Sequence, residues 1–119
     1  MIVGIGVDIV KVSKMEEAVL KGGESFLKRV FNDCEISHLA KGTIYFQRLA
    51  ARFAAKEAVI KSLGKTASLS LRDIVVINLE SGMPVCRLSL PKYRDLEILI
   101  SLSHIEDYAV ATAVAQKKA

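Results

Sequence analysis

Two carboxylates of this sequence stand among apolar residues, where an ionised group is unusual. Asp8 follows a run of β-branched residues and glycines, and Glu57 shares one side of a helical stretch with Leu49 and Phe53. Two carboxylates that meet, with water and substrate phosphates as further ligands, suit Mg²⁺, which prefers octahedral oxygen ligands. Without a metal, two like charges at close range raise the pKa of one of them. The pair therefore indicates a magnesium site if the two segments pack together.

Glu57 has a second interpretation that the spacing supports equally. Lys61 follows it by four residues, in the orientation that favours an ion pair along a helix. The cations of this stretch, Arg52, Lys56 and Lys61, form a solvated helix face in the commoner interpretation. In the alternative, cations on either side of a carboxylate bind a phosphate together with a metal. Residue spacing leaves both alternatives open.

The histidines and cysteines carry weaker signals. His104 ends the segment Ser101–His104, and a lone histidine at a turn is more often an exposed or capping group than a catalyst. His38 is assigned to the surface. Cys34 and Cys86 show neither CxxC nor Cys/His ligand spacing, which indicates reduced, partly buried thiols.

A first strand and a long helix must bring the two carboxylates together. One face of the strand is β-branched and consists of Val3, Ile5, Val7 and Ile9. The opposite face carries Gly4, Gly6 and Asp8, so a helix can approach it closely beside the carboxylate. The long helix, predicted from Tyr45 to Gly64, has a second face of small side chains, mostly alanine, that allows such an approach.

Caps and periodicity predict the remaining elements. A Ser13–Glu16 capping box predicts a helix from residue 14, interrupted by glycines at 22–23, and an Asn32–Glu35 box predicts another through residue 39. Four strands are predicted after the long helix, at Ile74–Leu79, Val85–Leu88, Leu96–Ser103 and Tyr108–Val114. The fold class is α+β: one domain of residues 1–119, with a long central helix packed on a largely antiparallel sheet.

Composition narrows the classes of protein. The chain has 119 residues, of which 51% are hydrophobic, with 17 Lys and Arg against 13 Asp and Glu, a net charge of +4. This is enough apolar content for a core and for an oligomer interface, and the charge favours acidic partners such as a phosphorylated cofactor, an acidic protein or nucleic acid. The sequence shows neither a signal peptide nor an apolar run of about 20 residues. A cytoplasmic protein is therefore expected, without a membrane partner.

Three segments closely resemble a known family, and they occur in its order along the chain. They are Gly4–Val10 (GIGVDIV), Arg52–Ala58 (RFAAKEA) followed by Lys61 and Gly64, and Ser101–His104 (SLSH). On these motifs the chain resembles holo-[acyl-carrier-protein] synthase, the small bacterial class of phosphopantetheinyl transferases. The resemblance spans almost the whole chain, and RFAAKEA is its most specific part.

The resemblance implies a reaction and its cofactors. The 4′-phosphopantetheine group of coenzyme A would pass to a serine of apo-acyl carrier protein, with Mg²⁺ as cofactor and release of adenosine 3′,5′-bisphosphate, in fatty acid biosynthesis. The carboxylates matching Asp8 and Glu57 would hold Mg²⁺, and Lys61 would contact phosphate. Glu57, directly or through a metal-bound water, is expected to take the serine proton, so Glu57 and Lys61 are the expected catalytic residues. The expected coenzyme-binding residues are Arg52, Lys61, Gly64, Ser103 and His104.

The resemblance also implies partners. Family members are trimers with sites between neighbouring subunits, and they dock an acidic carrier helix on basic residues near the first helix. The residues that could form this surface are Lys11, Lys14, Lys21, Lys28 and Arg29. No nucleic-acid partner is expected, because the seven aromatic residues form no clustered aromatic and basic strand motif.

Three positions depart from the family pattern. Lys14 stands where many members have arginine, which turns a bidentate contact into a point-charge contact. Ala51 replaces a glycine, which adds to the small helix face. The segment 65–69 is shorter than the glycine-rich loop common there, a loop that borders the coenzyme.

Two other functions are alternatives to the transferase. A Mg²⁺-dependent hydrolase would employ both carboxylates with water as the nucleophile, and a basic binding module for RNA or an acidic protein would need no catalysis. The motifs favour the transferase.

Overall fold

The elements follow one another in the predicted order. The structure, a computed structural model, describes residues 1–64 and 67–119, so Lys65 and Thr66 of the predicted short loop lie outside the described residues. The strands and helices are β1 (Ile2–Lys11), α1 (Val12–Val30), α2 (Asp33–Ile36), α3 (Tyr45–Leu63), β2 (Ile74–Asn78), β3 (Pro84–Leu88), β4 (Leu96–His104) and β5 (Tyr108–Lys117). Short 3₁₀ turns lie at Leu71–Asp73 and Pro91–Tyr93.

Two antiparallel sheets confirm the α+β prediction. Strands β1, β5 and β4 form a three-stranded sheet in that order, and β2 and β3 form a separate hairpin. Helix α3 packs across one face of the three-stranded sheet and contacts the hairpin as well. Among the residues that the structure describes, no helix has the length and apolar content needed to cross a membrane.

The glycine face of β1 lies directly against α3, as predicted. A Cβ built on Gly4 would lie 2.0 Å from the carbonyl oxygen of Ser62, and one on Gly6 would lie 2.0 Å from that of Ala58. Both contacts are with helix backbone, so only glycine allows this separation of strand and helix. The approach brings Asp8, two residues further along β1, to the side of α3.

The small face of α3 packs against the final strands. Ala54 and Ala58 are fully buried in one core cluster with Ala111 and Ala113 of β5. Alanine against alanine lets helix and sheet approach closely, which confirms the predicted role of this face. On β1 and β5 the buried face therefore carries small residues and the outer face larger ones, whereas β4 turns large aliphatic residues such as Ile98 towards the core.

Two predictions for the N-terminal helices are wrong in detail. Helix α1 begins at Val12 without a side-chain cap, because β1 runs straight into it and the Val12 N–H donates to the carbonyl oxygen of Asp107 at 2.9 Å. The predicted interruption is present, since Gly23 has φ 53° and ψ −141°. The Asn32–Glu35 capping box is confirmed, but α2 ends at Ile36 rather than at residue 39, and Leu39 is buried in the core beyond its end.

The two cysteines are free, as predicted. Cys34 is exposed rather than partly buried, whereas Cys86 is half-buried and burial raises the pKa of its thiol to about 12. A thiol with so high a pKa carries almost no thiolate at neutral pH.

Candidate active site

The glycine approach places Asp8, Glu57 and Lys61 together, and we call these three residues the carboxylate site. The ammonium of Lys61 donates to Oδ1 of Asp8 at 3.0 Å and to the carbonyl oxygen of Val7 at 2.9 Å. The Asp8 side chain is 19% exposed and that of Lys61 54% exposed. Lys61 thus pairs with Asp8 on the neighbouring strand rather than with Glu57, which was the other alternative that the spacing left open.

The charge on Glu57 is only partly compensated. Burial raises the pKa of Glu57 above its ordinary value, the nearby Asp8 carboxylate raises this pKa further, and Lys61 lowers it. One lysine therefore faces two carboxylates at the edge between β1 and α3. A further cation at this position would relieve the remaining repulsion.

The donor set of the carboxylate site fits Mg²⁺. Within the described parts of the chain, no group of three or more His, Cys, Asp or Glu side chains could hold a metal ion. A closed protein cage for zinc or calcium is therefore not formed by these residues. Mg²⁺ is commonly held by one or two carboxylates together with water and substrate phosphates, and Asp8 with Glu57 supplies that number.

A second group of polar residues lines a cleft of about 340 Å³ on the other side of α3. We call it the basic cleft, and its polar and charged lining residues are His38, Arg48, Arg52, Asn78 and His104. The hairpin closes one side through Gly82 and Pro84, and β4 contributes Leu102. The cleft thus contains predicted coenzyme residues together with His38, Arg48 and Asn78, which motif spacing did not single out.

Arg52 is the unusual member of the basic cleft. Its side chain is buried, at 6% exposed, and Nη1 donates to the carbonyl oxygen of Arg48 at 3.4 Å. Its Nε is the one buried side-chain nitrogen or oxygen without a hydrogen-bond partner among the described residues. Burial lowers the pKa of Arg52, and the Arg48 charge lowers it further. An anionic ligand in the cleft would accept a hydrogen bond from Nε and would offset the positive charges of Arg52 and Arg48. The prediction of a solvated face is wrong for Arg52, because this side chain is buried.

The remaining predicted residues lie around these two groups. His104 Nδ1 is 2.8 Å from Oε1 of Gln47. Ser103, on the outer face of the sheet, lines a smaller hollow of about 270 Å³ that His104 also borders. Gly64 ends α3 with φ 85°, one turn beyond Lys61. His38 is exposed, as predicted, although it borders the basic cleft.

Within one chain the predicted site residues therefore separate into two groups. The carboxylate site lies where α3 meets β1, and the basic cleft lies where α3 meets β4 and the hairpin. Strand β5 runs between β1 and β4 in the sheet. The chain brings Asp8, Glu57 and Lys61 together, but it does not join them to Arg52 and His104 in a single pocket.

Lys56, taken as part of a solvated face in the sequence, is fully buried. Its Nζ donates to Oε1 of Glu35 at 2.8 Å, and Glu35 is also fully buried. Burial lowers the pKa of Lys56, and the hydrogen bond to Glu35 opposes this shift. The signal that could have revealed it is its helical spacing from Leu49 and Val59, which places Lys56 in an apolar stripe.

Comparison with known proteins shows the family of this chain. The family model of the 4′-phosphopantetheinyl transferase superfamily matches residues 4–113. The holo-[acyl-carrier-protein] synthase of Thermodesulfovibrio yellowstonii is 46% identical over 114 residues, which cover 96% of this chain and 98% of the relative. That of Clostridium tetani is 36% identical over 123 residues, covering 98% and 97%.

Solved structures of the same enzymes have the same fold. The holo-(acyl-carrier-protein) synthase of Bacillus anthracis, in complex with CoA (3′,5′-ADP), superposes with a TM-score of 0.84 at 33% identity and 99% coverage of each chain. The synthase of Neisseria meningitidis has a TM-score of 0.86 at 31% identity, covering 98% of this chain and 100% of that one. Motifs, fold and comparisons converge, and the chain belongs to the holo-[acyl-carrier-protein] synthase family of phosphopantetheinyl transferases.

Proposed function

We propose that residues 1–119 form a single transferase domain that moves 4′-phosphopantetheine from coenzyme A to a serine of apo-acyl carrier protein. Adenosine 3′,5′-bisphosphate leaves, and the modified carrier serves fatty acid biosynthesis in the cytoplasm. The observation that carries the proposal is the carboxylate site, where Asp8 and Glu57 share one lysine beside a glycine face. Membership of the synthase family and the coenzyme bound to the similar B. anthracis enzyme support the same substrates.

Asp8 and Glu57 are the proposed ligands of Mg²⁺. When bound, this ion supplies positive charge that offsets the negative charge accumulating on the phosphates during transfer. Lys61 is half-exposed, so its ammonium is free to turn from Asp8 towards a phosphate oxygen. The lysine then stabilises the same developing charge from the protein side.

Glu57 is the proposed proton acceptor. The serine oxygen forms a bond to the phosphorus of the phosphopantetheine arm, and the bond from that phosphorus to the bridging oxygen of the diphosphate breaks. The electron pair leaves with adenosine 3′,5′-bisphosphate, and the serine proton passes to the Glu57 carboxylate. Burial and the Asp8 carboxylate raise the pKa of Glu57 in the metal-free protein, whereas Mg²⁺ held by the same carboxylate would lower it.

The basic cleft is the proposed site for the remaining negative charge of coenzyme A. The buried guanidinium of Arg52 has an unpartnered Nε there, and His104 faces the same space. Ser103 and Gly64 are proposed to contact the coenzyme at the margins of the two groups. A phosphate in the cleft would supply the acceptor that Arg52 lacks within the described chain.

A homotrimer would unite the two groups, with each active site built between subunits. The outer face of β1 is apolar and exposed at every large residue: Val3 53%, Ile5 72%, Val7 56% and Ile9 64%. A hollow of about 560 Å³ on this face is lined by Ile5, Val7, Thr112 and Val114, and also by Lys61. So large an apolar patch is typical of a protein interface, and this one borders the carboxylate site. We therefore propose that the neighbouring subunit's basic cleft lies next to Lys61.

Substitution of Val7 tests this assembly. We expect Val7→Asp to reduce the trimer to monomers, because three charges would be buried at the interface, and to abolish transfer at the same time. Light scattering coupled to size-exclusion chromatography measures the mass. Leu20→Asp changes an apolar residue on α1 that is even more exposed than Val7, and it should leave the mass unchanged. A Val7→Asp protein that stays trimeric would contradict the proposed interface.

The carrier is proposed to dock on the basic surface around α1. Its residues Lys11, Lys14, Lys21, Lys28 and Arg29 are all exposed. Lys14 has only a loose contact with Glu17, at 3.9 Å, so its ammonium remains accessible to a carrier carboxylate. Opposite charges steer the two proteins together and set their orientation more than they add affinity.

Mass spectrometry of the carrier tests the proposed reaction. Purified protein incubated with apo-carrier, coenzyme A and Mg²⁺ should increase the carrier mass by one phosphopantetheine group. Breakdown of coenzyme A without a change in carrier mass would instead indicate a hydrolase. Tight RNA binding with no chemistry would indicate a binding module.

The pH dependence of metal binding follows from Glu57. The metal binds the ionised carboxylate, and the pKa of Glu57 is raised in the metal-free protein. We therefore expect Mn²⁺ affinity to fall as the pH is lowered through this raised pKa, starting at a higher pH than an ordinary glutamate would give. Titration by electron paramagnetic resonance measures the affinity. Glu57→Gln should remove this part of the pH dependence, and an unchanged profile would contradict the assignment.

A further inference from the structure

The β2–β3 hairpin forms one side of the basic cleft although it belongs to a different sheet from β4. Asn78, Gly82 and Pro84 of the hairpin line the cleft opposite Arg52. No backbone pairing connects the hairpin to the three-stranded sheet within the described residues. The hairpin packs against both β4 and α3, so the width of the cleft depends in part on how the hairpin is attached to α3.

A buried ion pair makes that attachment. The ammonium of Lys56 in α3 donates to Oε1 of Glu35, to the carbonyl oxygen of Leu71 at 2.9 Å and to that of Ile74, the first residue of β2. The other carboxylate oxygen of Glu35 accepts the N–H of Val76 at 2.8 Å. Both side chains are fully buried, at 0% exposed. Helix α3, helix α2 and strand β2 are thus joined through two side chains.

The rest of the attachment is apolar. Ile74 and Val76 are fully buried in the core cluster that contains Val59 of α3. Apolar burial is non-directional, so it holds the hairpin on the helix without setting its position along or across it. Hydrogen bonds have narrow limits of length and angle. Those at Ile74 and Val76 therefore restrict movement of the hairpin both along and across the helix. Asn78 follows Val76 by two residues, roughly 7 Å along the strand.

We propose that Lys56 and Glu35 are positioning residues that set the width of the basic cleft for the coenzyme by fixing the hairpin against α3. The inference rests on the proposed function, in which the cleft binds coenzyme A. It assigns Lys56 a role different from that of its neighbour Glu57. Glu57 faces β1 and the reacting groups, whereas Lys56 faces the hairpin and touches neither.

The energetics of buried ion pairs make this role testable apart from folding. Removing one partner leaves a buried charge unpaired, which is strongly destabilising, but replacing both by uncharged side chains of similar size is often neutral for stability. Glu35→Gln with Lys56→Met is such a replacement. The double variant keeps the volume and the apolar core but loses the charged anchor.

The test compares coenzyme binding in the double variant and the wild type. We expect KM and Kd for coenzyme A to rise by at least about tenfold, with a smaller change in kcat, since the chemical groups are untouched. Hydrogen exchange at the Val76 amide should accelerate. Val59→Ala is the matched control, because it weakens the same helix–hairpin packing without touching the ion pair. It should lower Tm while leaving coenzyme affinity close to wild type.

Two results would overturn the proposal. One is wild-type coenzyme affinity in the double variant, and the other is an equal loss of affinity in Val59→Ala, which would make loss of stability the cause. If the double variant does not fold, Glu35→Gln with Lys56→Gln carries the test, because it also leaves no unpaired buried charge; a smaller rise in KM is expected, and an unchanged KM would overturn the proposal. Absence of coenzyme binding by the wild type would contradict the proposed function instead, and exchange at Val76 would still test the anchor.

Discussion

Asp8→Asn is expected to abolish phosphopantetheine transfer while leaving a folded protein. The amide has the shape of the carboxylate but neither its charge nor its affinity for Mg²⁺. Lys61 is half-exposed and keeps an oxygen to bond, and the amide removes the repulsion between Asp8 and Glu57, so little stability is lost. We expect kcat/KM to fall by at least about 10³-fold. The carrier-mass assay measures the rate, and thermal unfolding measures Tm.

The control for Asp8→Asn is the same aspartate-to-asparagine substitution at a different position. Asp107→Asn alters an exposed aspartate in the turn between β4 and β5 and should leave kcat/KM unchanged. Mn²⁺ titration gives an independent result, since affinity should fall in Asp8→Asn but not in the control. Near-wild-type transfer by Asp8→Asn at limiting Mg²⁺ would show that Asp8 is not a metal ligand.

Much of the fold could be predicted because its determinants are local. Alternation along the strands, the two glycines on one face of β1 and the alanines of α3 each act within a few residues, and each appears in the structure as predicted. The Asn32–Glu35 cap is likewise local and is present. The start of α1 differs from the prediction, since the Val12 N–H donates to the carbonyl oxygen of Asp107, which lies far away in sequence.

The candidate site was predictable in its residues but not in their pairing. Lys61 is near Glu57 in sequence, yet its partner is Asp8, because the glycine contacts bring β1 within reach of the lysine. The buried pair of Lys56 and Glu35 is separated by 21 residues along the chain. Local periodicity does not predict that these two side chains pair, because they come into contact only when the core is assembled.

Gly6→Ala is the second substitution with a large expected effect, and it tests how the site is built rather than its chemistry. The added methyl group would lie 2.0 Å from the carbonyl oxygen of Ala58 and 3.0 Å from Cβ of Lys61. A helix carbonyl cannot yield without breaking its hydrogen bond, so β1 must move away from α3. We expect a loss of about 1–3 kcal/mol in the free energy of unfolding, measured in urea.

The same displacement separates Asp8 from Glu57, so activity should fall further than stability explains. A misplacement of about 1 Å costs about 10²-fold in rate, and we expect transfer by the folded fraction of Gly6→Ala to drop by this amount. Gly42→Ala is the control, because a Cβ there meets nothing within 4 Å. If Gly6→Ala unfolds more easily yet transfers at the wild-type rate, the close packing of β1 on α3 stabilises the fold without setting the distance between the carboxylates.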